Sequence, residues 1–179
     1  MEDTPIIEQP KNLDINLFVH QLASVYAMEK LENEKCVISN SNKIYTDIGI
    51  NADITGYGKT ISMVTLVLRD KMIWDLETEY VFENIFTFGA QHIKKVYTES
   101  YPKNRTTLVL AGSSVVHQWA EEFLHTDLNV VTVTTKKAVN CIDIDEYDVV
   151  IVSQICAILY WIDILVPFGK DLYTTNLQQ

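Results

Sequence analysis

Apolar residues along this chain recur with two different periods, and each period predicts a kind of element. Residues 17–33 carry side chains of core type every three to four positions, which predicts a helix with one buried face. The positions at helical spacing are Leu17, His20-Gln21, Ser24-Val25, Met28 and Leu31. Residues 36–52 predict an extended segment that a turn at Asn40-Ser41-Asn42 interrupts. Residues 1–12 contain Pro5 and Pro10 and predict a flexible N-terminal arm.

The rest of the chain alternates short apolar runs with amphipathic stretches. The alternation predicts helices at 59–71, 114–125 and 154–163 and strands at 106–111, 128–134 and 147–152. It is typical of an α/β fold, a mostly parallel sheet flanked by helices. The predicted main domain therefore covers residues 13–163, with a tail at 164–179.

Residues 72–105 interrupt this alternation and form a predicted insert. The insert holds 7 of the 18 aromatic residues of the chain. The spacing of Ile73, Leu76 and Tyr80 favours an extra helix packed on the domain. Two alternatives remain open, which are a platform that stacks nucleic-acid bases and a surface that docks a partner.

Residues 149–168 form a run of 20 mostly apolar positions. We interpret the run as a buried parallel strand followed by a core helix, because such strands read as continuous apolar stretches. A carboxylate within a membrane span is costly, and Asp163 lies in this run. We therefore expect no stable membrane insertion, with a C-terminal membrane anchor as the alternative.

The most informative motif is Asp53-Ile54-Thr55-Gly56-Tyr57-Gly58-Lys59-Thr60. It follows the extended run 44–52 and precedes the apolar run 61–68. Strand, tight loop and helix in this order predict a phosphate-binding loop. The strict form of this motif has glycine at position 53, where this chain has Asp53. The alternative is a glycine turn that precedes a lysine by coincidence.

The residue types of the loop match the chemistry of a triphosphate. Gly56 and Gly58 lack a Cβ, so the backbone can curl and point its N–H groups at phosphate oxygens. The helix that begins near Lys59 adds free N–H groups and a positive dipole end. The ammonium of Lys59 can reach the β- and γ-phosphates, and the hydroxyl of Thr60 can bind Mg²⁺. The predicted cofactors are therefore ATP and Mg²⁺.

The form of this loop resembles that of superfamily 2 helicases and Swi/Snf-type DNA-dependent ATPases. Three other segments resemble motifs of the same family, and the resemblance as a whole covers residues 15–155. Leu17-Phe18-Val19-His20-Gln21 resembles the opening element, Thr107 to Trp119 resembles motif Ia, and Tyr147 to Ser153 resembles motif Ib. Motif Ia departs from the family at Gly112, where proline is usual. The resemblance implies a RecA-like domain and a nucleotide site at Gln21, Thr55, Gly56, Tyr57, Gly58, Lys59 and Thr60, with Gln21 reading the adenine edge.

Within that family, the segment His20 to Val25, with Met28-Glu29 after it, is most similar to helicases and early transcription factors of large nucleocytoplasmic DNA viruses. The chain also has 19 Ile against 8 Ala, as is common in AT-rich genomes. This likeness implies a location inside a host cell, in the cytoplasm or the nucleus. The acidic N-terminus lacks the basic start of a signal peptide, so secretion is not expected. Three cysteines without paired spacing favour reduced thiols over a zinc site.

The family's second element is an acidic pair at the end of a buried strand, and these 179 residues contain no match to it. Asp143-Ile144-Asp145-Glu146 precedes its strand, and we interpret it as a solvated loop. The resemblance therefore implies a partial, truncated RecA-like domain that binds ATP but hydrolyses little of it alone. The alternative is a degenerate remnant that serves as an interaction module without binding nucleotide.

The net charge of −10 limits the partners of the isolated chain. Nucleic-acid affinity depends largely on Lys and Arg neutralising phosphates, and here 14 basic residues face 24 acidic ones. We therefore expect DNA or RNA binding only with additional domains or chains. A truncated sheet leaves an exposed edge, which predicts self-association or binding of a protein partner.

Overall fold

The computed structural model describes residues 4–39, 42–46, 48–70, 75–88, 93–139 and 141–158. The chain divides into two compact units, of which the smaller is residues 73–105 and the larger is the remainder. Among the described residues, the helices of the larger unit include α1 (Val19–Glu34), α2 (Lys59–Arg69), α3 (Val116–Phe123) and α4 (Lys136–Val139). Its strands are β1 (Cys36–Ser39), β2 (Asn42–Tyr45), β5 (Thr107–Ala111), β6 (Val130–Val133) and β7 (Val149–Ser153). The smaller unit contains β3 (Tyr80–Phe88) and β4 (Ile93–Tyr101).

A parallel sheet in the order β5-β7-β6 forms the centre of the larger unit. Leu108 of β5 and Val131 of β6 both lie opposite Val150 of β7, so β7 is the middle strand. The three strands match the predicted ones to within three residues at each end. The prediction of an α/β fold with a mostly parallel sheet flanked by helices is confirmed for this unit.

One face of the sheet packs against the helices and makes the main core. Val64 of α2, Val116 of α3 and Ile151 of β7 are completely buried and belong to one apolar cluster. Within β7, Val149 and Ile151 belong to this cluster and Val150 to the other face, because successive side chains of a strand point to opposite faces of the sheet. The other face carries a smaller cluster around Val133, Val150 and Cys156.

The described part of the N-terminal arm packs on the domain instead of extending into solvent. Ile7 and Leu13 are each 6% exposed. The side chain of Gln9 accepts a hydrogen bond from the Leu17 amide at 3.0 Å, and Leu13 forms a β-bridge with Thr126. Prolines prevent regular structure here, but burial of apolar side chains still fixes the segment.

The extended segment predicted over residues 36–52 is a hairpin followed by irregular chain. β1 and β2 pair in antiparallel fashion, with Val37 opposite Ile44. Residues 48–52, expected to complete the strand before the loop, form no strand. Local side-chain bonds compete with strand pairing here: the Ile48 amide donates to Thr46 Oγ1 at 3.0 Å, and the Asp53 amide donates to Asn51 Oδ1 at 3.0 Å.

The described part of the smaller unit contains an antiparallel hairpin, and its residues 75–79 form no helix, so the helix predicted from Ile73, Leu76 and Tyr80 is wrong; Ile73 itself lies outside the described residues. β3 pairs with β4 from Tyr80 opposite Tyr101 to Phe88 opposite Ile93. The sequence of β3 is rich in aromatic and β-branched residues, which favour strands over helices. Before the hairpin, the Asp75 carboxylate accepts hydrogen bonds from the amides of Glu77 and Thr78, and the bonds from Thr78 lower the pKa of Asp75.

The predicted helix at 154–163 is helical over residues 154–158, and its remainder lies outside the described residues. The tail at 164–179 and the second half of the apolar run 149–168 also lie outside them. Among the residues that the structure describes, every helix is too short or too polar to cross a lipid bilayer.

Candidate functional site

Two glycines with left-handed backbone angles form the loop between residue 53 and α2. Gly56 has φ of 90° and Gly58 has φ of 72°. A Cβ on Gly56 would meet no atom within 4 Å, so only its backbone angle favours glycine. A Cβ on Gly58 would lie 2.1 Å from Nε2 of Gln21, so any other residue there would have to displace the Gln21 side chain as well. Both glycines of the predicted phosphate loop therefore have left-handed backbone angles.

Gly58 is also the N-cap residue of α2. Its carbonyl oxygen accepts the Ser62 amide at 3.1 Å, which closes the first turn. The amides of Lys59, Thr60 and Ile61 precede this bond and have no carbonyl one turn earlier in the helix to accept them. The loop thus ends on a helix N-terminus, where a positive dipole end favours an anion.

The side chain of Lys59 folds back over the loop. Its Nζ donates to the carbonyl oxygens of Asp53 at 2.8 Å and Ile54 at 3.2 Å. These two carbonyls hold the ammonium beside the curled backbone. Glycine curvature, helix N-terminus and ammonium are thus brought together, and this set of groups fits the phosphates of a nucleotide with Mg²⁺.

Gln21 connects α1 to this loop. It is 6% exposed, its Oε1 accepts the Phe18 amide at 2.8 Å, and its Nε2 donates to the Tyr57 carbonyl at 3.3 Å. The first of these bonds also caps the start of α1. One amide hydrogen and one lone pair of Gln21 remain for other partners. The structure therefore places Gln21 next to the loop.

The two threonines of the predicted site differ in exposure. Thr60 is half-buried at the second position of α2, and Thr55 is exposed at the turn of the loop. Farther along α2, the buried hydroxyls of Ser62 and Thr65 donate to backbone carbonyls one turn earlier. Thr60 is the hydroxyl closest in sequence to the ammonium of Lys59, so it is the candidate Mg²⁺ ligand.

Two contacts with α1 were missed by the sequence reasoning. The hydroxyl of Ser24 donates to the Asp53 carboxylate at 3.2 Å, so the residue that replaces the usual glycine is held by the helix. Nε2 of His20 lies 3.2 Å from the Tyr57 carbonyl oxygen. The unusual Asp53 was the one signal in the sequence for such a contact. An acidic side chain in a phosphate loop has to point away from the anion and needs a hydrogen-bond donor there.

The segments similar to motifs Ia and Ib form β5, α3 and β7. Trp119 of α3 is half-buried in the main core, with its ring 6.5 Å from that of Phe123. Gly112 has no left-handed angle, and a Cβ there would lie 3.9 Å from Val115. Glycine in place of the family's proline is thus not required by the backbone. Asp143 to Glu146, interpreted as a solvated loop, are exposed, and Ile144–Glu146 form one turn of 3-10 helix.

Comparisons with known proteins agree with this geometry. In structural comparison, the chain is similar to the Sulfolobus solfataricus SWI2/SNF2 ATPase core in complex with dsDNA, with a TM-score of 0.53 and 18% identity. The similarity covers 83% of this chain and 23% of that one, so the chain spans less than a quarter of the larger protein. It shows a shared fold, a truncated RecA-like α/β domain.

Among curated proteins, no relative matches this chain. The sequence profile of the SNF2-related domain matches residues 20–158. This range includes the loop, α2, α3 and the whole parallel sheet. The chain therefore belongs to the SNF2-related domain family of Swi/Snf-type superfamily 2 helicase-like ATPases.

Proposed function

We propose that this chain binds MgATP at residues 53–60 and is the nucleotide-binding part of a helicase-like ATPase. The observation that carries the proposal is the position of Lys59 Nζ, bonded to the Asp53 and Ile54 carbonyls beside two left-handed glycines. An ammonium held by neutral carbonyls keeps its full charge for an anion. Membership of the SNF2-related family supports ATP as that anion.

Each predicted site residue has a role in this proposal. The backbone amides of residues 55–60 hold the phosphates, Lys59 contacts the β- and γ-phosphates, and Thr60 binds Mg²⁺. The remaining amide hydrogen and lone pair of Gln21 contact the adenine edge. Gln21 also fixes the Tyr57 carbonyl, so it links the base end of the site to the phosphate end.

Hydrolysis by these 179 residues alone should be slow. Phosphoryl transfer needs an acidic residue that holds Mg²⁺ and another that positions water, and an arginine finger adds roughly 10³ to 10⁵ in rate. The described strands of the parallel sheet end at Ala111, Val133 and Ser153, without a carboxylate. We propose that another segment or chain supplies these groups when hydrolysis occurs.

Isothermal titration with MgATP tests the binding. The matched variants are Lys59→Ala and Lys30→Ala, because Lys30 is an exposed lysine of α1 with a weak ion pair to Glu34. We expect Lys59→Ala to weaken binding at least tenfold and Lys30→Ala to leave it unchanged. Equal heats from all three proteins would remove the proposal. A steady-state ATPase assay, with and without DNA, then measures how far turnover is impaired.

For nucleic acid, we propose that binding requires further domains or chains. The Sulfolobus relative was solved with dsDNA, but the net charge of −10 opposes an independent grip by this chain. Fluorescence anisotropy with labelled duplex DNA tests this, and tight, salt-sensitive binding by the purified chain would contradict it.

The likeness to viral helicases extends the proposal to an infected cell. We propose that the protein acts in the cytoplasm or nucleus of a host. Immunofluorescence in infected cells tests the location, and accumulation in the culture medium would contradict it.

A second candidate function is an interaction module that does not bind nucleotide. Leu108 and Leu110 favour it, because these β5 side chains are 60% and 63% exposed. This alternative would be selected if Lys59→Ala gave the same result as wild type in every ligand assay and Leu110→Lys lost partner binding.

A further inference from the structure

A cavity of about 370 Å³ lies between the N-terminal arm, α1 and α2 of the larger unit. This volume is in the range of sites that bind small organic groups. The lining residues are Ile6, Ile7 and Glu8 of the arm, Tyr26 and Glu29 of α1, and Arg69 of α2.

The cavity is separate from the candidate nucleotide site. α2 begins at Lys59 beside the phosphate loop and ends at Arg69, which lines the cavity. A helix of 11 residues is about 16 Å long. The cavity therefore lies at the opposite end of α2 from the phosphate loop.

The arm and α1 give the cavity an apolar wall. Ile7 is 6% exposed and packs with Val25 and Leu66, and Tyr26 packs against the same cluster. Ile6 is 47% exposed although it also lines the cavity. Such a wall suits the hydrocarbon stem of a ligand whose polar end lies elsewhere.

The polar end of the cavity has an unbalanced negative charge. Arg69 and Glu29 neutralise each other, because Nε and Nη2 of Arg69 donate to the two carboxylate oxygens of Glu29 at 2.5 and 3.4 Å. Glu8 is the other charged residue of the lining. Within the part of the chain that the structure describes, its carboxylate has no hydrogen bond or ion pair. A cation in the cavity would therefore find an available carboxylate.

The surroundings of the cavity also favour a cation. Partial desolvation raises the pKa of Glu32, and the negative charges of Asp70 and Glu29 raise it further. Glu29 belongs to the cavity lining, so the same negative field extends to the cavity. An anion would be repelled there, whereas a cation would be attracted.

We propose that this cavity binds an organic cation, an ammonium or guanidinium group carried on an apolar stem. The cationic group contacts the Glu8 carboxylate and lies against the Tyr26 ring. The stem lies along Ile6 and Ile7, and the pair between Glu29 and Arg69 stays intact. Two sources carry this chemistry, which are a basic side chain of a partner protein and a free polyamine.

The test is a ¹H–¹⁵N NMR titration of the whole chain with n-butylammonium chloride at constant ionic strength. n-Butanol is the neutral control of similar shape. We expect saturable shifts of the Ile7, Glu8, Tyr26 and Glu29 amides with butylammonium, and at least about twofold weaker binding of butanol. Shifts spread over exposed carboxylates throughout the chain would overturn the proposal, because they would indicate unspecific attraction to its net charge of −10.

Charge-reversal variants separate the cavity from this general attraction. Glu8→Lys and Glu121→Lys change the net charge equally, and Glu121 is an exposed residue of α3. Glu8→Lys should weaken butylammonium at least about tenfold through like-charge repulsion, whereas Glu121→Lys should stay within about twofold of wild type. Equal weakening in the two variants would overturn the proposal.

A milder substitution keeps the test decisive if Glu8→Lys fails to fold. Glu8→Gln keeps the shape of the side chain and should weaken butylammonium about two- to fivefold. Unchanged affinity in Glu8→Gln would overturn the proposal. MgATP binding should be the same in Glu8→Gln and wild type, so the cavity and the nucleotide site are tested independently.

Two further ligands distinguish the sources. Putrescine represents a polyamine, and the blocked peptide acetyl-Ala-Lys-Ala-amide represents a basic side chain of a partner protein. Tighter binding of putrescine than of the peptide would support a polyamine, and the reverse order would support a protein partner. Absence of saturable shifts with butylammonium, putrescine and the peptide would overturn the proposal.

Discussion

The ammonium of Lys59 lies 2.8 Å from the backbone carbonyl oxygen of Asp53, six residues earlier in the chain. This bond closes the loop around the two glycines before any ligand binds. The same lysine is the cation of the proposed phosphate site, so one side chain has a structural contact and a proposed ligand contact. The two roles can be separated by experiment, because they have different energetic consequences.

Lys59→Ala should change folding stability little while weakening nucleotide binding at least tenfold. The lost bonds are to partly exposed carbonyls, which water can solvate, so we expect a cost below about 1 kcal/mol. Urea unfolding measures it. A large loss of stability would mean that Lys59 is mainly a structural residue, and any effect of the variant on binding would then be uninformative.

Gly58→Ala should be much more destabilising than Gly56→Ala. Both positions have positive φ, which costs about 1 to 2 kcal/mol for alanine. Only at Gly58 does the new Cβ collide with a buried side chain, Nε2 of Gln21. We expect the Gly58 variant to lose at least about 1 kcal/mol more, measured by urea unfolding. Equal losses would contradict the close approach of α1 to the loop.

The ion pair between Glu29 of α1 and Arg69 of α2 should contribute measurably to stability. Its atoms lie 2.5 Å apart, and the two side chains are only 14% and 16% exposed. We expect Arg69→Met to cost about 1 to 3 kcal/mol. The matched control is Lys30→Met, which breaks an exposed pair at 4.0 Å and should cost less than about 0.5 kcal/mol. Similar losses in both variants would show that burial of the pair is unimportant.

Glu32 should make stability fall as pH rises. Partial desolvation, with the nearby charges of Asp70 and Glu29, raises the pKa of Glu32 above its ordinary value. The native state therefore holds this proton more tightly than the unfolded chain does. The resulting stability is present below the unfolded pKa and is lost as pH rises through the folded pKa.

The corresponding variant is Glu32→Gln, compared with wild type in thermal melts at several pH values. It should melt about 1 to 2 °C higher at pH 7, because the residue is largely exposed and the effect is small. The difference should vanish near pH 4. A difference independent of pH would assign the effect to something other than ionisation.

Exposed side chains on β5 should promote self-association. Leu108 and Leu110 lie on one face of the strand, and among the described residues β5 has a neighbour on one side only. An uncharged edge of this kind pairs readily with other strands. Light scattering should show a mass that rises with protein concentration, and Leu110→Lys should reduce it. A monodisperse monomer at high concentration would contradict this.

The sequence predicted the parallel sheet and the tight glycine loop before α2 because both are encoded locally. Buried strands such as β7 read as continuous apolar runs, and Gly56 and Gly58 are separated by a single residue. Hairpins were harder to predict. In the insert, the prediction followed three positions at helical spacing and not the strand preference of the nine residues of β3. The pairing of β3 with β4 makes these residues a strand.

Contacts across long sequence separations could not be predicted at all. Ser24 and Asp53 are 29 residues apart, and His20 and Tyr57 are 37 apart. No pattern in one sequence joins such positions, because the packing of α1 on α2 brings them together. The sequence therefore predicted the tight turn at Gly56 and Gly58, whereas the contacts of α1 with this loop became visible only in the structure.

The central claim is that the curled backbone around Gly56 and Gly58 receives a triphosphate. Two-dimensional ¹H–¹⁵N NMR of the purified chain, titrated with MgATP, tests it most directly, because each backbone amide reports separately. We expect the amides of Gly56, Gly58, Lys59 and Thr60 to shift progressively and to saturate, while those of β6 stay in place. Saturating MgATP without movement of these loop amides would contradict the account.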